Sequence, residues 1–288
     1  MKRTVGLLVL TVCALVPASA TSAQLLAAKD GPIVYGHHHV NATSLDEHKK
    51  FWADTLGGIA IKIGTNNVDV IKFPNALLFM RAQAPTGPTK GTALNHLGFS
   101  VPNLRQSVDT LKANGYRMVT REEAPPGVTV ADDIGAAAGA VSGIAYVLGP
   151  DNVKVELVEI KAQKMPIVSH HIHFFGPQNT EMHAWYLDVF GATARPSANA
   201  AFVSAELPGL GMNFSPSADP VVGTRGRALD HIGFEVKNLE AFCKKLEAQG
   251  IKLDVSYRKV PALDIAIAFI SDPWGTSIEL TEGLDKIQ

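Results

Sequence analysis

Cysteine is nearly absent: the 288 residues include only Cys13 and Cys243. Cys13 falls in a leader-like stretch, so the mature chain keeps one thiol and has no internal disulfide available, which excludes a disulfide-stapled architecture. An excess of charge of either sign is also lacking, with 26 Lys plus Arg against 27 Asp plus Glu. That balance carries neither the basic footprint of a nucleic-acid binder nor the acidic bias of a disordered tail, and it leaves a small molecule as the expected partner. Apolar runs long enough to cross a bilayer are missing as well. The best candidate, Val5 to Val16, holds 12 residues against the roughly 20 a spanning helix needs, so no membrane partner is expected for the mature form. No glycine-rich phosphate loop and no ordered Ser, His and Asp triad can be picked out.

What is present begins with Lys2 and Arg3, the apolar run, and small residues at Ala18, Ala20, Ser22 and Ala23. This is the pattern of a secretory signal peptide over residues 1–23, with cleavage expected after Ala20 or Ala23 and a secreted or periplasmic destination. The remaining length suits two domains, expected at residues 29–163 and 164–288.

Histidine is concentrated. Eight of the ten lie in two stretches, HHHVNATSLDEHKKFWADTLGG at 37–58 and HHIHFFGPQNTEMHAWYLDVFG at 170–191, and the other two lie in a second pair of matching segments, ALNHLGFSVPNLRQSVDTLKANG at 93–115 and ALDHIGFEVKNLEAFCKKLEAQG at 228–250. The spacing from His37 to His171 is 134 residues and from His96 to His231 is 135, so the chain repeats itself. Each of the four segments opens with an alternating strand, passes a cap and becomes an amphipathic helix stopped by glycine. Ser44 with Glu47 forms a capping box, and Asn103 caps a helix whose Leu104, Val108 and Leu111 follow helical spacing to Gly115. About three further strand-like runs follow each helix. The expected class is α+β, with four βαβββ modules paired into two domains. Cys243 falls on a helix and reads as a partly buried structural thiol, and His48 and His183 read as members of solvated helix faces.

The segments DHIGFEVKNLEAFCKKLEAQG and ISDPWGTSIEL resemble the vicinal oxygen chelate superfamily, which includes glyoxalases, fosfomycin-modifying enzymes, bleomycin-binding proteins and extradiol dioxygenases. The resemblance implies paired modules that form cup-shaped sites and a divalent metal held by the histidine of the opening strand, the histidine of the HxGF strand and a glutamate in the last strand. Carried onto this sequence, it implies one set of His171, His231 and Glu279 and another of His37, His96 and Glu156. Strand periodicity supports the set independently. Glu279 stands between Ile278 and Leu280, Glu156 between Val155 and Leu157, and each points away from its apolar neighbours. Two imidazoles and one carboxylate suit Fe(II), with Mn(II), Zn(II) and Ni(II) as alternatives.

His39 and His173, two residues beyond the first ligand positions, share their strand face and are candidate general bases. Glyoxalase-type members carry one more acidic ligand, for which ALLFM at 76–80 and GMNFS at 211–215 offer no carboxylate. Extradiol members use a tyrosine ten residues before the glutamate; Tyr146 occupies that place before Glu156, and Phe269 before Glu279. An insertion at 122–143 lengthens the second module and is a candidate lid. Two readings follow. The first is an exported metalloenzyme, dioxygenase-like or lyase/isomerase-like, acting on a small substrate with adjacent oxygens. The second is a metal-free binding protein with Phe175, Phe202, Phe214, Trp185 and Trp274 as pocket walls. The sequence leaves open whether domains pair within one chain or across a homodimer.

Overall fold

The computed structural model describes residues 33–137, 141–197 and 202–287. The leader-like segment lies outside the described residues. Four modules succeed one another, each a strand, a helix and an antiparallel group of strands whose last member returns parallel to the first. The first comprises β1 (Val34–Ala42), α1 (Leu45–Lys49) with a π-helical turn at Lys50–Thr55, β2 (Ile59–Ile63), β3 (Val68–Lys72) and β4 (Leu77–Ala82). The second has β5 (Leu94–Val101), α2 (Leu104–Ala113), β6 (Arg117–Met118), α3 (Thr120–Glu123), β7 (Val130–Ala131), β8 (Ile134–Ala136), β9 (Gly143–Leu148) and β10 (Lys154–Glu159). In the third are β11 (Val168–Gly176), α4 (Asn179–Phe190), β12 (Thr193–Arg195), β13 (Val203–Leu207) and β14 (Leu210–Pro216). The fourth holds β15 (Leu229–Glu235), α5 (Leu239–Ala248), β16 (Leu253–Val260), β17 (Ile265–Ser271) and β18 (Ser277–Glu282). The caps read from sequence are in place: Ser44 accepts from the Glu47 amide and Asn103 from the Gln106 amide.

The modules do not pair in the order of the chain. One sheet runs β16-β17-β18-β15-β1-β4-β3-β2, and the other β12-β13-β14-β11-β5-β10-β9-β8-β7 with β6 beside β9. The outer sheet therefore joins the first module to the fourth through antiparallel β1 and β15, and the inner sheet joins the second to the third through antiparallel β5 and β11. Each sheet draws on both halves of the sequence.

A single apolar core serves both sheets. It takes one face of every opening strand, Phe99 of β5, Phe174 of β11 and Phe234 of β15 among them, together with the inward sides of the helices such as Leu111, Tyr186 and Leu246. Ile278 and Leu280 point into this core, as do Val155 and Leu157, which leaves Glu279 and Glu156 for the opposite faces. Phe214 stacks on Phe174 inside the core and so lines no pocket, while Trp185 and Trp274 are partly buried and pack against that core. Cys243 is buried there too, and burial pushes its thiol up to about 11, which makes it unreactive as expected. His48 departs from its expected solvated position. It is fully buried, donates to Asp151 and accepts from the Trp52 indole, because a buried imidazole with both nitrogens partnered is tolerated where a bare one is not.

Candidate metal centre

In the outer sheet His39 lies opposite His231, His37 lies opposite Gly233, and Glu279 on β18 lies beside Gly233. Strand alternation sends all three ligand-type side chains to the face away from the core. His37 Nε2 and His231 Nε2 each donate to the same atom, Glu279 Oε2, at 3.0 Å. The inner sheet repeats the figure. His96 Nε2 and His171 Nε2 each donate to Glu156 Oε2 at 3.0 Å, and His173 faces His96. In the trio His37, His231 and Glu279, and in the quartet His96, Glu156, His171 and His173, the ligand atoms all lie within 4.8 Å of one another.

The glycine of each HxGF strand makes this convergence sterically available. A Cβ at Gly233 would stand 1.9 Å from His37 Cε1, and one at Gly98 would stand 2.1 Å from His171 Cε1. The imidazole from the neighbouring strand occupies the space a side chain would fill. The sequence displayed both glycines on the ligand face, but only the pairing of strands reveals which histidine each accommodates.

All six predicted ligands thus reach a metal-type cluster, but in a different partition from the one expected. His171 joins His96 and Glu156, and His37 joins His231 and Glu279; the expected sets of His171 with His231 and Glu279, and of His37 with His96 and Glu156, do not form. Periodicity told which way each side chain points. It held no information on which opening strands pair, because all four are alike.

The two clusters differ in what surrounds them. In the outer one, His231 Nδ1 donates to Asp230 Oδ1 at 2.6 Å, and Asp230 is itself held by the Gly226 amide at 2.7 Å and the Asn41 side chain at 3.1 Å. Burial opposes charge on His231, yet the hydrogen bonds to Asp230 and Glu279 raise its pKa above the ordinary value. Burial also works against Glu279, but His231 and His37 hold its carboxyl well below the usual carboxylate range. In the inner one, Asn95 takes the place of Asp230 at 3.0 Å from His96 Nδ1, and burial lowers His96 to about 4. His173 Nε2 is 2.8 Å from Ser215 Oγ, whereas His39 Nε2 is buried without a hydrogen-bond partner; Arg81 occupies in β4 the place of Ser215 in β14. Burial, with His231 and Arg81 near, lowers the His39 pKa well below normal, so this ring is neutral.

The space in front of each cluster differs as well. Before Glu279 a pocket of about 220 Å³ opens between Val68, Phe79, Leu263, Ile267 and Phe269, with Arg81 and Arg258 also lining it. Before Glu156 stand Tyr146, Phe175 and Phe202, whose rings pack around His96 and His173, and the ammonium of Lys154 lies 5.7 Å from the ring centres of Tyr146 and Phe175. Tyr146 sits across from Glu156, and Phe269 across from Glu279. The described part of the insertion adds the hairpin β7–β8 to the sheet edge, and its Val128, Ala137 and Val141 pack on an apolar cluster that includes Tyr146.

The donor set fits a divalent transition metal. Two imidazole nitrogens converge on one carboxylate oxygen, and His37 Nδ1, His39 Nε2 and His173 Nδ1 are buried without partners around these clusters.

Residues 168–280 match the Glyoxalase/Bleomycin resistance protein/Dioxygenase superfamily. No curated protein matches the chain by sequence. Among solved structures, glyoxalase I from Zea mays is similar at TM-score 0.63 and 14% identity, over 87% of this chain and 92% of that one. A variant of the same Zea mays protein is similar at TM-score 0.65 and 14% identity, over 87% and 94% of the two chains. A candidate dioxygenase from Bacillus subtilis is similar at TM-score 0.61 and 12% identity, over 89% and 86%. At these identities the likeness is one of fold.

Proposed function

With residues 168–280 matching the Glyoxalase/Bleomycin resistance protein/Dioxygenase superfamily, and the described chain similar in fold to glyoxalase I from Zea mays, we propose that the protein is a member of that superfamily and a divalent-metal-dependent enzyme whose working site is the outer one. The observation that carries this reading is the conjunction there of a ligand trio, an adjoining pocket of about 220 Å³ and an imidazole nitrogen, His39 Nε2, with no partner of its own. His37 and His231 through Nε2, and Glu279 through its carboxylate, would hold the ion. Bound there, it supplies Lewis acidity toward two adjacent oxygens of a small substrate.

The chain's own groups then divide the remaining work. Val68, Phe79, Leu263, Ile267 and Phe269 exclude water and fit an apolar body. Arg81 and Arg258, unpaired among the described residues, orient an acidic group on the substrate by charge. His39 is neutral and can take a proton through Nε2 from the carbon or hydroxyl beside the chelating oxygens. Phe269 in the tyrosine place removes a phenolic acid from this site, which favours proton-transfer chemistry of the lyase or isomerase kind over ring cleavage. Fe(II) is the ion we favour, then Mn(II), Zn(II) and Ni(II). Export rests on the leader-like residues 1–23 alone.

Elemental analysis of the native and the reconstituted protein tests the reading. We expect at least one equivalent of a transition metal, lowered by one equivalent in Glu279→Gln. Well under one equivalent after reconstitution would refute it and leave the apolar pocket as a metal-free binding site.

A further inference from the structure

We infer that the two clusters are unequal metal sites, the outer one loading first, and that the residues setting the order are Asp230 against Asn95 and Ser277 against Lys154. This rests on the proposal that the chain binds a divalent metal at all. The two trios are alike in kind, two Nε2 atoms each 3.0 Å from one carboxylate oxygen, and the inner one has His173 in range as a further nitrogen, so a preference for the outer site has to come from the groups around the ligands.

Behind the outer trio, Asp230 accepts from His231 Nδ1 at 2.6 Å. A carboxylate in that place fixes the tautomer that presents a bare Nε2 to a cation, orients the ring and adds a negative charge close to the ion. Asp230 is locked in turn by Gly226 and Asn41, so its own geometry is not free to drift. Behind the inner trio the partner is the Asn95 amide, which carries no charge and serves either tautomer by rotating.

In front of the inner trio the disparity widens. Lys154 stands on β10 two residues before Glu156, hence on the same strand face, where β18 has Ser277 before Glu279. Its ammonium is buried, paired with Glu123 at 2.8 Å and held over the rings of Tyr146 and Phe175. Glu123 comes from α3 in the inserted segment and also pairs with Lys90. A fixed cation in a poorly solvated space beside a site disfavours a second, divalent one there. The outer trio thus has a carboxylate directly behind one ligand, with the guanidinium groups of Arg81 and Arg258 further out along the pocket, whereas the inner trio has a neutral amide behind its ligand and a buried ammonium that Glu123 shares with Lys90.

Titration of the metal-free protein with Co(II), followed by its visible absorption and by calorimetry, distinguishes the two sites. The expected wild-type result is a tighter phase that vanishes in Glu279→Gln and survives in Glu156→Gln. Asp230→Asn should weaken that phase about 10–100-fold, the range typical of such outer partners, in a variant whose circular dichroism shows it to be folded at the titration temperature. Asn95→Asp combined with Lys154→Met should tighten binding at the inner site, a gain that a misfolded variant would not produce. Equal phases in the wild type, a tighter phase lost in Glu156→Gln, or an unaltered phase in Asp230→Asn would overturn the inference while leaving metal binding intact. Failure of the wild type to take up Co(II) at all would overturn the proposed function with it.

Discussion

The outer and inner sites are two outcomes of one duplicated plan. Each has two histidines and a glutamate on the same strands, a glycine that admits a neighbouring imidazole, and a further histidine two residues along. They part at four matched positions: Asp230 and Asn95, Ser277 and Lys154, Phe269 and Tyr146, Arg81 and Ser215. At the outer site these choices leave a ring nitrogen free and a pocket beside it. At the inner site they supply an ammonium, aromatic packing and a hydroxyl that occupies the equivalent ring. The ligand residues alone therefore do not tell the two sites apart; the groups one layer further out do.

The contrast is most sharply broken at the glycines. Gly233→Ala should displace the His37 ring and remove metal from the outer site together with all turnover, while Gly98→Ala should displace His171 and leave turnover in place. Metal stoichiometry and activity of the two folded variants check this; loss of turnover in Gly98→Ala instead would assign the work to the inner site. His39→Gln should lower turnover by about 10²–10⁴, the usual contribution of a general base, with metal content unchanged, and His173→Gln should leave turnover near wild type. Equal losses in both would contradict the division of roles.

Stability should ignore the distinction between the sites. The side chains of Leu157 and Leu280 both point into the shared core, and truncating either to alanine should cost about 2–5 kcal/mol. Because that core is continuous across both sheets, each variant should shift one cooperative unfolding transition; two separate transitions would show that the sheets melt independently.

The smallest effect concerns pH. His48 occupies a helix position that Met182 fills in the second half, and both are fully buried. Burial lowers the His48 pKa in the fold despite its bond to Asp151. The unfolded chain then binds the extra proton more readily, so this group subtracts stability as the pH falls below its unfolded value near 6.5. His48→Met should flatten that part of the acid limb in thermal unfolding of the metal-free protein, and an unchanged slope would count against it.

Much of this was legible in the chain. The capping residues Ser44 and Asn103 and the alternation around Glu279 and Glu156 are local signals, and each survives into the structure. His48 was misread because helical spacing reports a face, while the partner that makes burial tolerable, Asp151, comes from a turn over a hundred residues away. Phe214 was misassigned for a related reason: aromatic composition is the same for a pocket wall and a core.

By itself the sequence determined the modules, their class and which side chains face away from the core, since strand and helix periods act over a few residues. Tertiary structure alone decided that the first module meets the fourth and the second meets the third, and so which histidines share a carboxylate. Opening strands of near-identical character offer equivalent edges to one another, and the choice among them is made by the packing of the whole chain.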